Sequence, residues 1–238
     1  MSARFKFYHG LSFRLGLTVF LSASLTISGA MWYLNCRIQS VMKDTFSQVV
    51  ERNQETGSRI TGLLRGIEYF VQNIANSVEH GYDQDKDILW LMENLLTSDP
   101  SLCYGTSVAF KPGSYHGTNM AFYCYWENDQ IVKTNLNSAE YNYPEQDWFR
   151  TAQEMESPGW TEPYYDEGGG NVHMCTYYVP FFKEKSDGTR EFRGVVTADM
   201  ALAAAQEIVN TVRVYESGYT ILISRKGEIL AVPDELSL

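Results

Sequence analysis

The stretch that decides the fold is NVHMCTYYVPFF (residues 171–182), followed across Ser186-Asp187-Gly188 by RGVVTADM (residues 193–200). Both runs are rich in β-branched and aromatic residues and are bounded by turn formers, the pattern of paired strands. Working back along the chain, Tyr104 to Lys111, Ala121 to Glu127 and Ile131 to Asn135 read the same way. Pro112-Gly113-Ser114 and Asn128-Asp129 separate them. Five strands in hairpin order behind helical sequence predict one antiparallel sheet in an α+β domain. Beyond the sheet, Leu202 to Val212 returns to helix. Tyr219 to Ser224 and Glu228 to Val232, joined by Arg225-Lys226-Gly227, read as the opening hairpin of a second sheet.

Upstream, residues 37–80 contain no proline, and apolar side chains recur at Ile38, Met42, Phe46 and Val49, then at Ile60, Leu63, Ile67, Phe70, Ile74 and Val78. Spacings of three, four and seven keep one stripe on one helix face, so this segment predicts a long helical spine. Thr56, Gly57 and Gly62 weaken its middle, which leaves a kinked pair of helices as the alternative. The stripe from Ile60 to Ile74 fits a homodimer seam or a core-facing surface. A second helix is predicted over Lys86 to Leu96, stopped by Asp99-Pro100.

Leu15 to Leu34 is a run of 20 residues without a charge, long enough to cross the ~30 Å of a bilayer's hydrocarbon. Arg4, Lys6 and Arg14 precede it with no acid among them, which keeps a short N-terminus cytoplasmic, and Trp32 and Tyr33 suit the interface. A cleaved signal peptide, cut near Ser28 and Ala30, is the alternative. All 29 acids follow residue 43, and against the remaining 15 Lys and Arg they give the exported part a net charge near −14. So acidic a surface argues against nucleic acid, whose phosphates it would repel. Cys36, Cys103, Cys124 and Cys175 form no close pair and no metal spacing, although a bridge between Cys124 and Cys175 on neighbouring strands fits the pattern.

A cluster of aromatic and acidic residues occupies the remaining loop region: Tyr141, Gln146, Trp148 and Phe149, then Tyr164, Tyr165 and Asp166, and finally Asp199. Together with Val179-Pro180, GVVTAD (residues 194–199) and GYTILISRKG (residues 218–227), these residues make the chain resemble a double-Cache extracytoplasmic sensor over about residues 37–238. Such sensors stack two PAS-like modules on one helical spine, ahead of chemotaxis, kinase, cyclase or phosphatase output. The resemblance implies a layout of cytoplasmic N-terminus (1–14), transmembrane helix (15–34), spine (37–80), membrane-distal Cache module (81–213) and incomplete membrane-proximal module (214–238). It implies an inner-membrane receptor with the bulk of the chain periplasmic, cut short within its second module. A dimer through the long helix follows from the same resemblance.

In the amino-acid-binding branch of that family the distal pocket carries Tyr-x4-Arg-x-Trp-Tyr, then Tyr-x-Asp and a late Asp. Tyr141, Trp148, Phe149, Tyr164, Asp166 and Asp199 fall at matching spacing. Gln146 stands where the arginine belongs, and Phe149 where the second tyrosine does. The arginine would grip a ligand carboxylate by two parallel charge-assisted bonds, which a glutamine amide does not reproduce. The cation half is intact, with two acids as counter-charges and three rings for cation–π contact. The expected ligand is therefore an amine or quaternary ammonium; an amino acid or organic acid is the alternative.

Each of these residues also has a packing role open to it. Trp148 and Phe149 begin a helix over Asp147 to Met155 and suit a core, Asp199 suits a cap for the helix at Leu202, and Asp166 to Asn171 reads as a flexible acidic turn. Nothing in the sequence has the form of a nucleophile elbow or a histidine metal site, so neither an enzyme nor a cofactor is expected.

Overall fold

A computed structural model describes residues 10–98, 100–212 and 218–236, without the side chains of Arg59 and Leu63. The basic residues Arg4 and Lys6, the stop at Asp99, the last residue of the distal-module prediction (213) and residues 214–217 and 237–238 of the second-module prediction lie outside the described residues. The chain divides into two compact units, Met1–Glu55 and Thr56–Leu238.

In the first unit the backbone is a single element, the part of α1 (Leu11–Glu79) that precedes Thr56. It carries an 18-residue window of mean hydropathy 1.5, none of it buried. Thr18, Ser22 and Thr26, which dilute the apolar run, turn their hydroxyls onto the carbonyls of Leu15, Val19 and Ala23 at 2.9 Å. Each hydroxyl is thereby satisfied within its own helix. Neither Gly57 nor Gly62 interrupts α1, since an interior glycine costs a helix only about 1 kcal/mol against alanine.

The second unit is built on a seven-stranded antiparallel sheet. Its strands are β1 (Gly105–Phe110), β2 (Ala121–Glu127), β3 (Gln130–Asn135), β4 (Gly159–Trp160), β5 (Tyr164–Tyr165), β6 (His173–Glu184) and β7 (Arg190–Ala201). Their order is β3-β2-β1-β7-β6-β4, with β5 also on β6. The expected strands are present, and β1–β2, β2–β3 and β6–β7 pair as successive hairpins, but the two sets join through β1 and β7 rather than through β3 and β6. β1 lies between β2 and β7, a pairing across about ninety residues that no local pattern announces. This arrangement also corrects the cysteine expectation: Cys124 on β2 and Cys175 on β6 are separated by β1 and β7, and no disulfide joins any of the four cysteines.

Strand periodicity sends alternate side chains to two cores. One face presents Val108, Phe122, Val179 and Val196 to the end of α1 and to α2 (Asp85–Ser98). There Ile67, Val71, Ile74, Ala75 and Val78 of α1 meet Ile88, Met92, Leu95 and Leu96 of α2. Each such side chain contributes roughly 1.5–3 kcal/mol when fully buried. Ile67 and Ile74 of the candidate dimer stripe are thus committed to the core, while Phe70 is exposed. Arg193 pairs with Asp83 at 2.6 Å and fixes β7 to the link between the helices. The other face, with Ala109, Tyr123, Tyr178 and Val195, packs on α3 (Asp147–Met155) and the preceding turn. This second face holds the site.

After β7 the chain enters α4 (Leu202–Thr211), then a small sheet of β8 (Leu222–Ile223) and β9 (Ile229–Ala231). That hairpin is not left bare: Ala231 packs on Ala205 and Val209, and Asn210 Nδ2 donates to Asp234 at 2.9 Å.

Candidate functional site

Asp199 lies near the end of β7, opposite Gly105 on β1 and Thr176 on β6. Although near a helix start, it does not cap α4; the preceding residue is Ala201, with no side-chain cap. Its carboxylate instead accepts from Thr176 Oγ1 at 2.8 Å, and Thr176 Oγ1 lies 2.7 Å from the Tyr164 hydroxyl. The glycine opposite is required by space: a Cβ on Gly105 would stand 2.5 Å from Tyr123 Oη and 3.0 Å from Asp199 Oδ2.

Asp166 follows β5, in the segment expected to be a flexible turn. The segment is instead closed on itself, because Asn171 N donates to the Asp166 carbonyl at 2.8 Å and Gly170 N to Asp166 Oδ2 at 2.7 Å. The Tyr104 hydroxyl clamps it from outside by donating to the Gly170 carbonyl at 2.8 Å. The Tyr141 hydroxyl donates to Asp166 Oδ1 at 2.6 Å and accepts from Trp148 Nε1 at 3.2 Å. Two parallel chains result, Trp148 to Tyr141 to Asp166 and Tyr164 to Thr176 to Asp199, each ending on a buried carboxylate.

These two acids are each only 4% exposed. Among the described residues no Lys, Arg or His pairs with either. Burial, and then the charge of Asp166, pushes the Asp199 carboxyl up to about 7, against the opposing hydrogen bonds from Thr176 and Tyr123. Burial also raises Asp166, with Tyr141 and Gly170 pulling the other way. The hydroxyls of Tyr123, Tyr141 and Tyr164 are pushed up by burial first and by both carboxylates second. Burial thus biases this whole cluster of acids and phenols toward its uncharged forms.

The structure therefore joins five of the seven residues picked from the sequence: Tyr141, Trp148, Tyr164, Asp166 and Asp199. Gln146 sits just ahead of α3 and donates its amide to the Tyr141 carbonyl at 2.6 Å, holding that tyrosine in place. Phe149 is 1% exposed and packs edge-on against Tyr143 and Phe192, at 5.3 and 5.7 Å, within the aromatic core. Tyr104, Gly105, Tyr123 and Thr176 were missed. Gly105, a glycine inside an otherwise continuous strand pattern, was the available signal of close approach. A cleft of about 680 Å³ opens beside Gln146, Trp148, Thr161 and Tyr164, with Arg150 and Lys226 also on its wall. The two acids lie behind Trp148 and Tyr164, one hydrogen-bond chain in from that cleft.

A family model described as "Methyl-accepting chemotaxis protein-like, first PDC sensor domain" matches residues 88–207. The chemoreceptor PctB of Pseudomonas aeruginosa is 23% identical over 230 residues, which is 97% of this chain and 32% of PctB. The chain thus spans about a third or less of the curated relatives it matches. The extracellular domain of the putative histidine kinase mmHK1S-Z3 is 26% identical, with a TM-score of 0.64 over 75% of this chain and 66% of that one. The ligand-binding domain of the P. aeruginosa amino-acid chemoreceptor PctC, solved with GABA, is 20% identical, with a TM-score of 0.52 over 75% of this chain and 70% of that one. With half of its residues matched by the family model, this chain belongs to the first PDC sensor domains of methyl-accepting chemotaxis protein-like receptors, the Cache/PDC extracellular sensors.

Proposed function

We propose that this chain senses a small amine-bearing molecule outside the cytoplasm, anchored to the inner membrane by the apolar part of α1. One observation carries the reading: Asp166 and Asp199 are both buried, the charge of Asp166 reaches Asp199, and among the described residues neither has a basic partner. An ammonium group is the partner that such a pair lacks. Hydrogen bonds to charged groups are worth about 1.5–3 kcal/mol each, and the rings of Trp148, Tyr141 and Tyr164 add cation–π attraction. Entry requires Trp148 and Tyr164 to yield, because they separate the acids from the cleft. Any signal then rests on the ligand's differential affinity for two states of the domain.

An amino acid is the second reading. Arg150, one helical turn beyond Gln146, and Lys226 line the same cleft and offer charge to a carboxylate. The PctC domain, solved with GABA, is a neighbour that holds such a ligand.

The test is calorimetry and thermal melting of the full chain in lipid nanodiscs against amines, amino acids and organic acids. A ligand at a hundredfold excess over Kd stabilises by about 2.7 kcal/mol. For a unit of this size that is a rise of about 5–11 °C in Tm. Amines are expected to give this shift and to lose it in the double variant Asp166→Asn, Asp199→Asn. Shifts from acids or amino acids with none from amines would overturn the amine reading.

A further inference from the structure

Trp160 belongs to no motif, yet it is the side chain at which the cleft, the sheet and α1 meet. It lines the cleft beside Thr161 and Tyr164. Its backbone lies on the two-residue strand β4, opposite Tyr177 of β6, and its ring rests on Tyr177 with centroids 5.2 Å apart. Its Nε1 donates to Glu68 Oε1 of α1 at 2.8 Å. Leu64, one helical turn before Glu68, packs with Trp160 against the cluster of Met200, Ala205, Val209 and Ala231. Residues four apart share a helix face, so α1 meets this indole through an apolar and a polar contact together. Among the described residues, no other side chain lining the cleft hydrogen-bonds to α1.

The position of Trp160 is also set from the side of the site. Thr161 N donates to the Thr176 carbonyl at 2.9 Å, and Thr176 N donates to Thr161 Oγ1 at 3.0 Å. Thr176 in turn links Tyr164 to Asp199. A shift of that chain therefore carries β4 with it, and a shift of β4 moves the indole against Glu68. Little else holds the strand, which pairs only through Gly159 and Trp160 at one edge of the sheet. Segments with few pairings open at low cost in free energy, so β4 is the compliant part of the cleft wall. The strength of a hydrogen bond falls steeply with misalignment. The indole–carboxylate contact thus converts a small displacement of the wall into a bond made or lost on α1.

We propose that Trp160 and Glu68 couple the cleft to α1, so that filling the cleft shifts the indole and changes the packing of α1 around Glu68. The inference goes beyond the amine reading: it holds for any occupant that presses on Trp160 and needs no contact with Asp166 or Asp199. Such coupling is reciprocal, and a change on α1 at Glu68 alters the cleft by the same factor. Glu68 is a positioning residue, since it acts on the cleft through the indole alone. The stacking on Tyr177 remains available to a phenyl ring at position 160, which separates the hydrogen bond from the packing.

A covalent occupant tests this without a known ligand. Thr151, on the cleft wall, is changed to cysteine in a Cys36→Ser chain and alkylated with monobromobimane; the other three cysteines are buried. Hydrogen exchange of the full chain in nanodiscs is then compared with and without the label. The label is expected to change exchange over residues 60–72 of α1 by about fivefold or more and to leave α2 as it was. Trp160→Phe and Glu68→Leu are each expected to abolish that difference, while Glu68→Gln, which keeps an oxygen acceptor, retains it. A purely structural role would raise exchange in these variants equally with and without the label, and that result would overturn the inference. So would a labelled chain whose α1 exchanges as before, or a difference that survives Glu68→Leu. Glu68 is only half-buried on its helix, so its two variants decide the matter if Trp160→Phe is unstable. Amines failing to bind would remove the ligand proposed above and leave this coupling standing.

Discussion

Replacing Asp199 by asparagine is expected to stabilise the protein above neutral pH while abolishing its response to amines. The Asp199 carboxyl is raised from an ordinary 3.8 to about 7 in the folded chain. Between those values the folded state holds a proton that the unfolded state has released, so stability falls as pH rises through the window. The favourable contribution is complete below about pH 4 and gone above about pH 7. At about 1.36 kcal/mol per pKa unit, the amount lost is roughly 4 kcal/mol, an upper figure because Asp166 titrates with it. Asparagine keeps the Thr176 contact and carries no charge to desolvate. The variant should therefore melt about 8–16 °C above the wild type at pH 8 and near it at pH 4.5. Melting of the full chain in nanodiscs at the two pH values is the assay. An added amine should close the gap at pH 8 by stabilising the wild type alone, since it supplies the missing positive charge. Parallel pH profiles for wild type and variant, or a variant less stable at both, would refute the claim that Asp199 is uncompensated.

Gly105→Ala places a Cβ 2.5 Å from Tyr123 Oη and 3.0 Å from Asp199 Oδ2. It is expected to cost about 1–3 kcal/mol in overpacking and to abolish amine binding; a melt and titration matching the wild type would refute the tight approach. Gln146→Arg restores a bidentate donor ahead of α3 and is expected to raise affinity for α-amino acids by about tenfold or more, with amines lacking a carboxylate unaffected. Equal gains for both classes in calorimetry would show that position 146 does not read the carboxylate.

The parts of this fold that were legible in the sequence are those set by short-range periodicity. Ile67, Ile74 and Val78 announce the buried face of α1, and the runs ending at Phe182 and Met200 announce β6 and β7. The joining of the two hairpin sets was not legible, because the pairing of Gly105 with Asp199 depends on two segments meeting across the domain. The same limit governs the site. Tyr141, Trp148, Tyr164, Asp166 and Asp199 could be picked because a motif preserves their spacing. Tyr123 and Thr176 could not, since alternation along a strand marks only which face a residue takes, never which partner it finds there. Asp166 to Asn171 is a turn, as its glycine and acid composition signals, but that composition does not announce the hydrogen bonds that close it. Tyr141, Tyr104 and Gly170 supply those bonds from outside the local sequence or from the backbone.

On the amine reading proposed above, the unfavourable electrostatics of the site are a means of coupling. A domain that paired Asp166 and Asp199 with its own lysine would be more stable and would have nothing left for a ligand to supply. On the amine reading, leaving the acids buried without a basic partner lowers stability and lets a cation restore it, the usual exchange of stability for function. The size of the defect limits the size of the signal. If a cation recovers about 4 kcal/mol in one state of the domain and none in the other, the equilibrium between them moves on the order of a thousandfold, from about 1:30 to about 30:1. An equal recovery in both states would move it not at all, however tight the binding. On that reading, the signalling state is the one in which Tyr141 and Thr176 hold Asp166 and Asp199 where one ammonium engages both. The two hydrogen-bond chains that run inward from Trp148 and Tyr164 are the elements placed to report whether that geometry has been reached.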